Sequence, residues 1–216
     1  MCIRDSIRTA LAGQICAKNF SNKIKRIGVI GTGTQAKLQV EYLKNITESR
    51  DVMVWGRDYK KMDQYKQHMK QIGFEVTFCK SPHEVASECN LIITATASKD
   101  FVLSNNDILE GTHINAIGSD TPSKRELGPG IIEKADLVIA DSIEQCKYRG
   151  EIACSIRDGN LNLDNVVELG DVLSGKISGR ESKSQITVSD LTGVAVQDIK
   201  IADLVYKKFM EDKNEI

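Results

Sequence analysis

Residues 26–36 read Arg-Ile-Gly-Val-Ile-Gly-Thr-Gly-Thr-Gln-Ala, and this stretch decides the fold. An apolar segment runs directly into the pattern Gly31-x-Gly33-x-x-Ala36, and an amphipathic helical pattern follows. A strand, this glycine turn and a helix in succession are typical of a dinucleotide-binding turn. Gly31 permits the tight turn, and Gly33 lets the backbone approach a pyrophosphate. The small Ala36 lets the helix pack close to the strand, with its positive N-terminus toward the phosphates.

The composition is that of an ordinary globular protein, with 41% hydrophobic and 27% charged residues among 216. This length suits one domain, or one domain joined to part of another. The 29 Lys and Arg against 30 Asp and Glu argue against a polyanion-binding surface, so we expect no nucleic-acid partner. No apolar run is long enough to cross a bilayer, and residues 1–6 do not read as a leader peptide. We therefore expect a cytoplasmic protein without a membrane partner.

The six cysteines form no Cys-x-x-Cys pair and no metal-ligand spacing with the three histidines. We expect free, reduced thiols and no metal site. His113 lies inside an apolar, strand-like run, which predicts a residue of the core or of a strand end.

Apolar runs alternate with helical patterns along the middle of the chain, which indicates parallel β-α-β units. Several of the runs are apolar throughout, as expected when helices cover both faces of a sheet. The sequence therefore predicts an α/β fold, a doubly wound parallel sheet of the Rossmann type. The predicted strands are 26–30, 51–55, 75–78, 91–95, 113–117 and 137–140, and the predicted helices between them are 35–45, 59–71 and 82–87.

The two ends of the chain do not fit this sheet. Residues 7–19 predict a helix before the first strand, and residues 166–173 predict a short helix ended by Gly175. Residues 185–188 are strand-like, and residues 192–210 predict a long amphipathic helix. These pieces need an apolar partner surface that the first residues do not supply, so we expect the sequence to begin partway through a larger protein.

The end of the second predicted strand bears on the choice of nicotinamide cofactor. A carboxylate there hydrogen-bonds the ribose hydroxyls of NAD, whereas an Arg holds the 2′-phosphate of NADP. Gly56 stands at the position of the acid and Arg57 follows, which favours NADP modestly over NAD. In the alternative interpretation Arg57 is a solvated residue at a helix entry, and Asp58 caps that helix.

Two further segments follow strands on the edge where open α/β sheets bind ligands. Residues 94–98, Thr-Ala-Thr-Ala-Ser, are small enough to allow close approach of a nicotinamide ribose, although a plain strand-to-helix turn with a Ser cap explains them nearly as well. Residues 115–127 deliver Asp120 to the same edge, with Lys124 one turn further on. A carboxylate there can exchange protons with a substrate amine or imine. Alternatively, Asp120 only caps a helix that begins at Pro122.

Taken together, these segments resemble the ornithine cyclodeaminase/mu-crystallin family over nearly the whole chain from about residue 7. The matching segments, in order, are 8–10 (Arg-Thr-Ala), 31–36 (Gly-Thr-Gly-Thr-Gln-Ala), 94–96 (Thr-Ala-Thr), 118–127 (Gly-Ser-Asp-Thr-Pro-x-Lys-x-Glu-Leu), 150–152 (Gly-Glu-Ile), 168–170 (Glu-Leu-Gly), 179–180 (Gly-Arg) and 186–198 (Ile-Thr-Val-Ser-Asp-Leu-Thr-Gly-Val-Ala-Val-Gln-Asp). The aspartate segment and the closing block are the specific ones.

The resemblance implies a homodimeric enzyme that uses bound NAD or NADP to move a hydride at the α-carbon of a small amino or imino acid. Members act as cyclodeaminases, as ketimine reductases or as amino-acid dehydrogenases. It also implies that residues 1–22 end a truncated substrate and dimerisation domain, that residues 23–184 form the NAD(P)-binding domain, and that residues 185–216 return to the former. Family members carry about one hundred further residues before the segment that matches Arg8, a domain's worth of chain.

The resemblance assigns roles residue by residue. Asp120 becomes the acid and base beside the substrate nitrogen, and Arg8 becomes a holder of the substrate carboxylate. The implied cofactor contacts, besides Gly31, Ala36 and Arg57, are Gly33, Thr34, Gln35, Thr94, Ala95, Thr96, Lys124, Thr192 and Gly193.

The resemblance leaves two points open. The aspartate segment and the closing block are closer to the dehydrogenase and imine reductase members than to the cyclodeaminases, so ornithine is not specifically supported as substrate. Mu-crystallin relatives also make a non-catalytic protein that binds a nucleotide or small ligand a credible alternative. The presence of Arg8, Asp120 and Lys124 together disfavours that alternative, because a pure binder needs no proton-transfer carboxylate.

Overall fold

The structure is a computed structural model, which describes residues 3–161, 163 and 166–214. The strands are β1 (Ile27–Ile30), β2 (Asp51–Trp55), β3 (Glu75–Phe78), β4 (Leu91–Thr94), β5 (His113–Ala116), β6 (Leu137–Ala140), β7 (Val166–Glu168) and β8 (Thr187–Asp190). The helices are α1 (Ile3–Phe20), α2 (Thr34–Leu43), α3 (Tyr59–Gln71), α4 (Pro82–Glu88), α5 (Ile131–Lys134), α6 (Ile143–Cys146), α7 (Glu151–Arg157), α8 (Leu169–Leu173) and α9 (Ala195–Asn214), with a 3₁₀ turn at Asn105–Asp107.

The strands form one parallel sheet in the order β3-β2-β1-β4-β5-β8-β6-β7. The chain builds outward from β1 to β3 and then returns to β4 on the other side of β1. The connections after β1 and β4 therefore leave on opposite faces and open a crevice at their carboxyl ends. This confirms the predicted doubly wound α/β sheet.

Each face of the sheet has its own apolar core, because successive side chains of a strand point to opposite faces. In β4, Leu91 and Ile93 pack into the cluster under α1, α2 and α3, whereas Ile92 packs into the cluster under α4, α5 and α7. Burial on both faces explains why the central strands are apolar throughout.

Helix α1, which precedes the first strand in the sequence, packs on the sheet beside α2. Phe20 and Cys16 of α1 are fully buried in the core cluster of that face. Asn115 of β5 donates through Nδ2 to the carbonyl of Gly13 at 2.9 Å, and Gln39 of α2 donates to the carbonyl of Thr9 at 2.9 Å. The predicted leading helix is thus tied to the sheet by both apolar packing and side-chain hydrogen bonds.

Two predictions about the last third of the chain were wrong. Residues 166–168, predicted as the start of a helix, form the edge strand β7, because Val166 and Val167 pair with β6 and only the residues from Leu169 onward are helical. The strand-like segment near residue 185, placed outside the sheet, forms β8 between β5 and β6. All four residues of β8 are buried, so this strand lies in the interior of the sheet.

Helix α9, at the C-terminal end of the chain, leaves several apolar side chains exposed among charged ones. Its exposed apolar side chains include Ile199, Leu204, Tyr206 and Phe209, each more than half exposed. Within the described ranges, no helix combines the length and the apolar character needed to cross a membrane. The same ranges hold no group of three or more His, Cys, Asp or Glu side chains arranged to bind a metal.

His113 is a fully buried residue of β5, as the sequence predicted. Its Nδ1 lies 2.7 Å from Oγ1 of Thr187, and its Nε2 lies 2.9 Å from Oδ1 of Asn115. Burial lowers the pKa of His113 to about 3, and the charge of Arg180 acts in the same direction. The folded protein therefore keeps this imidazole neutral.

We expect His113 to make stability depend on pH. In the unfolded chain it takes up a proton as the pH falls below its ordinary pKa of 6.5, whereas the folded protein does not until about pH 3. The free energy of unfolding should therefore lose about 1.4 kcal/mol per pH unit below pH 6.5 through this residue. Denaturant titrations at several pH values give the slope of the unfolding free energy against pH for wild type and for His113→Gln. The difference between the two slopes is the contribution of His113, because other buried groups titrate in both proteins.

The matched control is His83→Gln, because the His83 side chain is 68% exposed and pairs with Asp107 at the surface. If the pH slope of the unfolding free energy were the same in His113→Gln as in wild type, this would contradict the role given to His113.

Candidate active site

A cleft of about 600 Å³ lies at the carboxyl ends of β1, β2, β4 and β5. It brings together nearly every residue that the sequence selected. From that set, its lining contains Arg8, Gly31, Gly33, Thr34, Gln35, Arg57, Ala95, Thr96, Asp120, Lys124, Thr192 and Gly193.

The glycine turn forms the floor of the cleft. Gly31 has a φ of 118°, and a Cβ there would lie 2.5 Å from the carbonyl oxygen of Ala95, so only glycine fits between β1 and β4. Gly33 is the N-cap of α2 without a side-chain cap, and a Cβ there would have no heavy atom within 4 Å. The first turn of α2 thus presents its N–H groups to open space in the cleft, which fits a pyrophosphate.

Two residues expected among the cofactor contacts do not line the cleft. Ala36 is fully buried in the core under α2, in keeping with its predicted role of close helix packing. Thr94 is fully buried too, and its hydroxyl donates to Oε2 of Glu126 at 2.8 Å. Thr94 therefore lies behind the cleft wall.

The end of β2 gives the cleft a positively charged rim. Arg57 and Lys61 line it next to Gly56, and Nη2 of Arg57 donates to Oγ of Ser98 at 2.7 Å. Asp58 caps α3 by accepting the amides of Lys60 and Lys61 at 2.9 and 3.2 Å. Asp58 also lines the cleft, so this rim carries its carboxylate, held by backbone N–H groups, beside the two cations Arg57 and Lys61.

Asp120 and Lys124 form the opposite wall. Nζ of Lys124 lies 2.6 Å from Oδ1 of Asp120, and half of the Asp120 side chain is exposed. No helix begins at Pro122, where the chain makes only a turn. The structure therefore contradicts the alternative in which Asp120 is a helix cap, and leaves its carboxylate on the cleft surface.

Arg8 enters the cleft from α1. Its Nε lies 2.5 Å from Oδ1 of Asp198 on α9, and its Nη1 donates to Oε1 of Gln197 at 3.2 Å. Its guanidinium also approaches Gly193, since a Cβ there would lie 3.1 Å from Nη1. The predicted carboxylate holder thus stands at the cleft with an acid of α9 as its present partner.

Sequence reasoning missed a set of acids behind the cleft loops, among them the partly buried Asp141 and the buried Asp190. Asp141 accepts the hydroxyl of Thr192 at 3.0 Å and the amide of Gly193 at 2.6 Å, which fixes the turn after β8. Asp190 accepts the amide of Ile152 at 2.9 Å at the start of α7. Burial raises the pKa of both carboxyls, that of Asp190 strongly. For Asp141, the available signal was an acid directly after the apolar strand β6.

A model of the ornithine cyclodeaminase/mu-crystallin family matches residues 1–213. The alanine dehydrogenase of Archaeoglobus fulgidus is 37% identical over 204 residues, which are 94% of this chain and 62% of that protein.

Two solved structures share the fold. An archaeal alanine dehydrogenase dimer with bound NAD has a TM-score of 0.91 at 34% identity, over 97% of this chain and 65% of that one. The Δ1-pyrroline-2-carboxylate reductase of Thermococcus litoralis, in complex with NADH and L-proline, has a TM-score of 0.91 at 27% identity, over 97% and 66%. The chain thus spans slightly less than two thirds of the length of these relatives, and it belongs to the ornithine cyclodeaminase/mu-crystallin family.

Proposed function

We propose that the protein containing this chain moves a hydride at the α-carbon of a small amino or cyclic imino acid, with NAD or NADP as cofactor. The observation that carries this proposal is the position of Asp120, which faces the same cleft as the glycine turn. The relatives support the class of reaction, since they are named alanine dehydrogenase and pyrroline-2-carboxylate reductase.

The residues of the cleft suit this chemistry. The turn at Gly31 and Gly33 would hold the cofactor pyrophosphate, and the bound nicotinamide supplies or accepts the hydride. The Lys124 ion pair engages Oδ1 of Asp120, so Oδ2 would serve the substrate nitrogen as proton donor or acceptor. Arg8 would hold the substrate carboxylate, for which it exchanges its contact with Asp198.

Several finer statements belong to the same proposal. The reaction would be that of a dehydrogenase or ketimine reductase, or that of a cyclodeaminase such as one converting ornithine to proline and ammonia. We further propose that residues 1–22 and 185–216, apart from β8, contribute to a substrate and dimerisation domain of a homodimer. The dimer with bound NAD among the solved relatives supports this assembly.

Asp120→Asn should lower turnover by about 100-fold or more, because the amide cannot exchange the proton that the hydride step requires. Binding of the nicotinamide cofactor should change less than about 3-fold, since the glycine turn is untouched. The assay follows the absorbance of the reduced nicotinamide with alanine, ornithine, proline and cyclic ketimines as substrates. Asp63→Asn, on the exposed face of α3, is the matched control.

Unchanged turnover in Asp120→Asn would remove Asp120 from the mechanism. Cofactor binding without turnover of any substrate, in wild type as well, would instead favour the non-catalytic binding protein.

For the cofactor we propose a preference for NADP over NAD. Support comes from the rim of the cleft, where Arg57 and Lys61 face the ribose end while the Asp58 carboxylate caps α3. These two cations suit a 2′-phosphate, and Asp58 at the same rim accepts the amides that begin α3. The two solved relatives contain NAD or NADH, so a preference for NADP would distinguish this chain from them.

Trp55 is the sole tryptophan and lines the cleft, so its fluorescence reports cofactor binding directly. Arg57→Ala should weaken NADPH binding about 10-fold or more relative to NADH, because it removes a charge-assisted contact to phosphate. Lys60→Ala, one residue before Lys61 and outside the cleft lining, serves as control. Equal losses for NADPH and NADH, or a wild type that prefers NADH, would contradict the preference.

A further inference from the structure

Glu126 is a buried carboxylate that joins two loops of the cleft. It is fully buried, and its Oε1 accepts the amide of Thr96 at 2.5 Å. Its Oε2 accepts the amide of Gly118 at 2.7 Å and the hydroxyl of Thr94. Thr96 follows β4 and Gly118 follows β5, so one side chain holds the loops after two neighbouring strands.

The junction is too tight for any other residue at position 118. A Cβ on Gly118 would lie 2.5 Å from the carboxyl carbon of Glu126, and it would also clash with the carbonyl oxygen of Thr96. Gly118 has an ordinary φ, so the requirement for glycine here comes from space alone. The backbone of both loops is thus built around the carboxylate.

A second buried carboxylate, that of Glu151, holds the same segment of chain. Glu151, at the start of α7, accepts the hydroxyl of Ser119 and the amide of Glu126 through Oε1, the latter at 2.7 Å. Its Oε2 accepts the amide of Leu127 at 3.0 Å. The segment that carries Asp120 and Lys124 is therefore fixed on both sides, at residues 118–119 and at residues 126–127.

We propose that Glu126 is a positioning residue for proton transfer, whose ionised carboxylate holds the turns after β4 and β5 together and thereby sets where Asp120 stands over the cleft. This inference rests on the proposed function. Glu126 does not line the cleft itself and acts through the loop backbone.

The charge on Glu126 matters because two of its three partners, the amides of Thr96 and Gly118, can only donate. A protonated carboxyl would bring a fourth hydrogen into a site already occupied by two amide N–H groups. Burial raises the pKa of Glu126 to about 7, and the charge of Glu151 acts in the same direction. Of the neighbouring charged groups, Arg125 and Asp190 face Glu151. The hydrogen bonds that Glu126 accepts form a clamp between the two loops, which is strongest above about pH 7 and weakens as the pH falls below it.

Glu126→Gln tests the inference, because the amide nitrogen must face the N–H of either Thr96 or Gly118. We expect kcat to fall about 10- to 100-fold, while the Kd for NADPH or NADH, read from Trp55 fluorescence, stays within about 3-fold. The wild-type rise of kcat through about pH 7 should disappear in the variant. Glu133→Gln is the matched control, since Glu133 also accepts a side-chain hydroxyl, that of Ser155, but bonds neither the loop after β4 nor the loop after β5 in the described contacts.

A wild-type kcat and pH profile in Glu126→Gln would overturn the inference, as would a loss of cofactor binding in proportion to turnover. Two measurements do not depend on the folding of that variant. Gly118→Ala should reproduce the loss of kcat by pushing the two loops apart. In the wild type, the amide NMR resonances of Thr96 and Gly118 should titrate together near pH 7.

Amide resonances that do not move between about pH 5 and 9 would equally refute the clamp. These resonances can be read without any substrate. A failure of the proposed function, seen as full turnover in Asp120→Asn, is therefore distinguishable from a failure of the Glu126 clamp.

Discussion

The close approach of Gly31 to the carbonyl of Ala95 is the contact on which the rest of the site depends. At this point β1 and β4 run side by side and their following segments part to opposite faces of the sheet. A side chain at residue 31 would separate the two strand ends, because its Cβ would meet backbone that cannot rotate away. The cleft, the start of α2 and the loop at Thr96 all take their positions from this contact.

The loops around the cleft are held by acids, of which Glu126, Glu151 and Asp190 are buried and Asp141 is partly buried. Asp141, Glu126, Glu151 and Asp190 each accept at least one backbone N–H, and together they secure the turns after β4, β5 and β8. Burial of a carboxylate is unfavourable, and hydrogen bonds to the ionised form offset that cost. Such a network fixes loops that contain few apolar side chains of their own.

Much of the sheet could be predicted because its signals are local. The apolar runs at β1 and β4 and the spacing of the glycine turn depend on neighbouring residues only. The prediction for β8 failed because its place between β5 and β6 depends on residues far away in the sequence. The prediction for the start of β7 failed because three residues are too few to distinguish the two-residue period of a strand from the period of a helix.

The same reasoning explains which parts of the site were found. Gly31 follows β1 directly, Asp120 and Lys124 lie in the loop after β5, and the parallel sheet brings strand ends to one edge. Thr94 was misplaced because a single residue of register decides whether a side chain faces the cleft or the core. The role of Glu126 could not be read from the sequence, since it depends on a contact with Thr96 across 30 residues of chain.

The position of β8 has a consequence for how the chain assembles. The strands β6 and β7 precede β8 in the sequence, yet only β8 joins them to β5. During synthesis the five strands from β3 to β5 in the sheet order can pair as they emerge. The strands β6 and β7 cannot join them until β8, the last strand to be synthesised, is available. A chain that ended before residue 190 would lack a complete β8 and would leave β5 as an exposed sheet edge. Misassembly with another chain would begin at that edge.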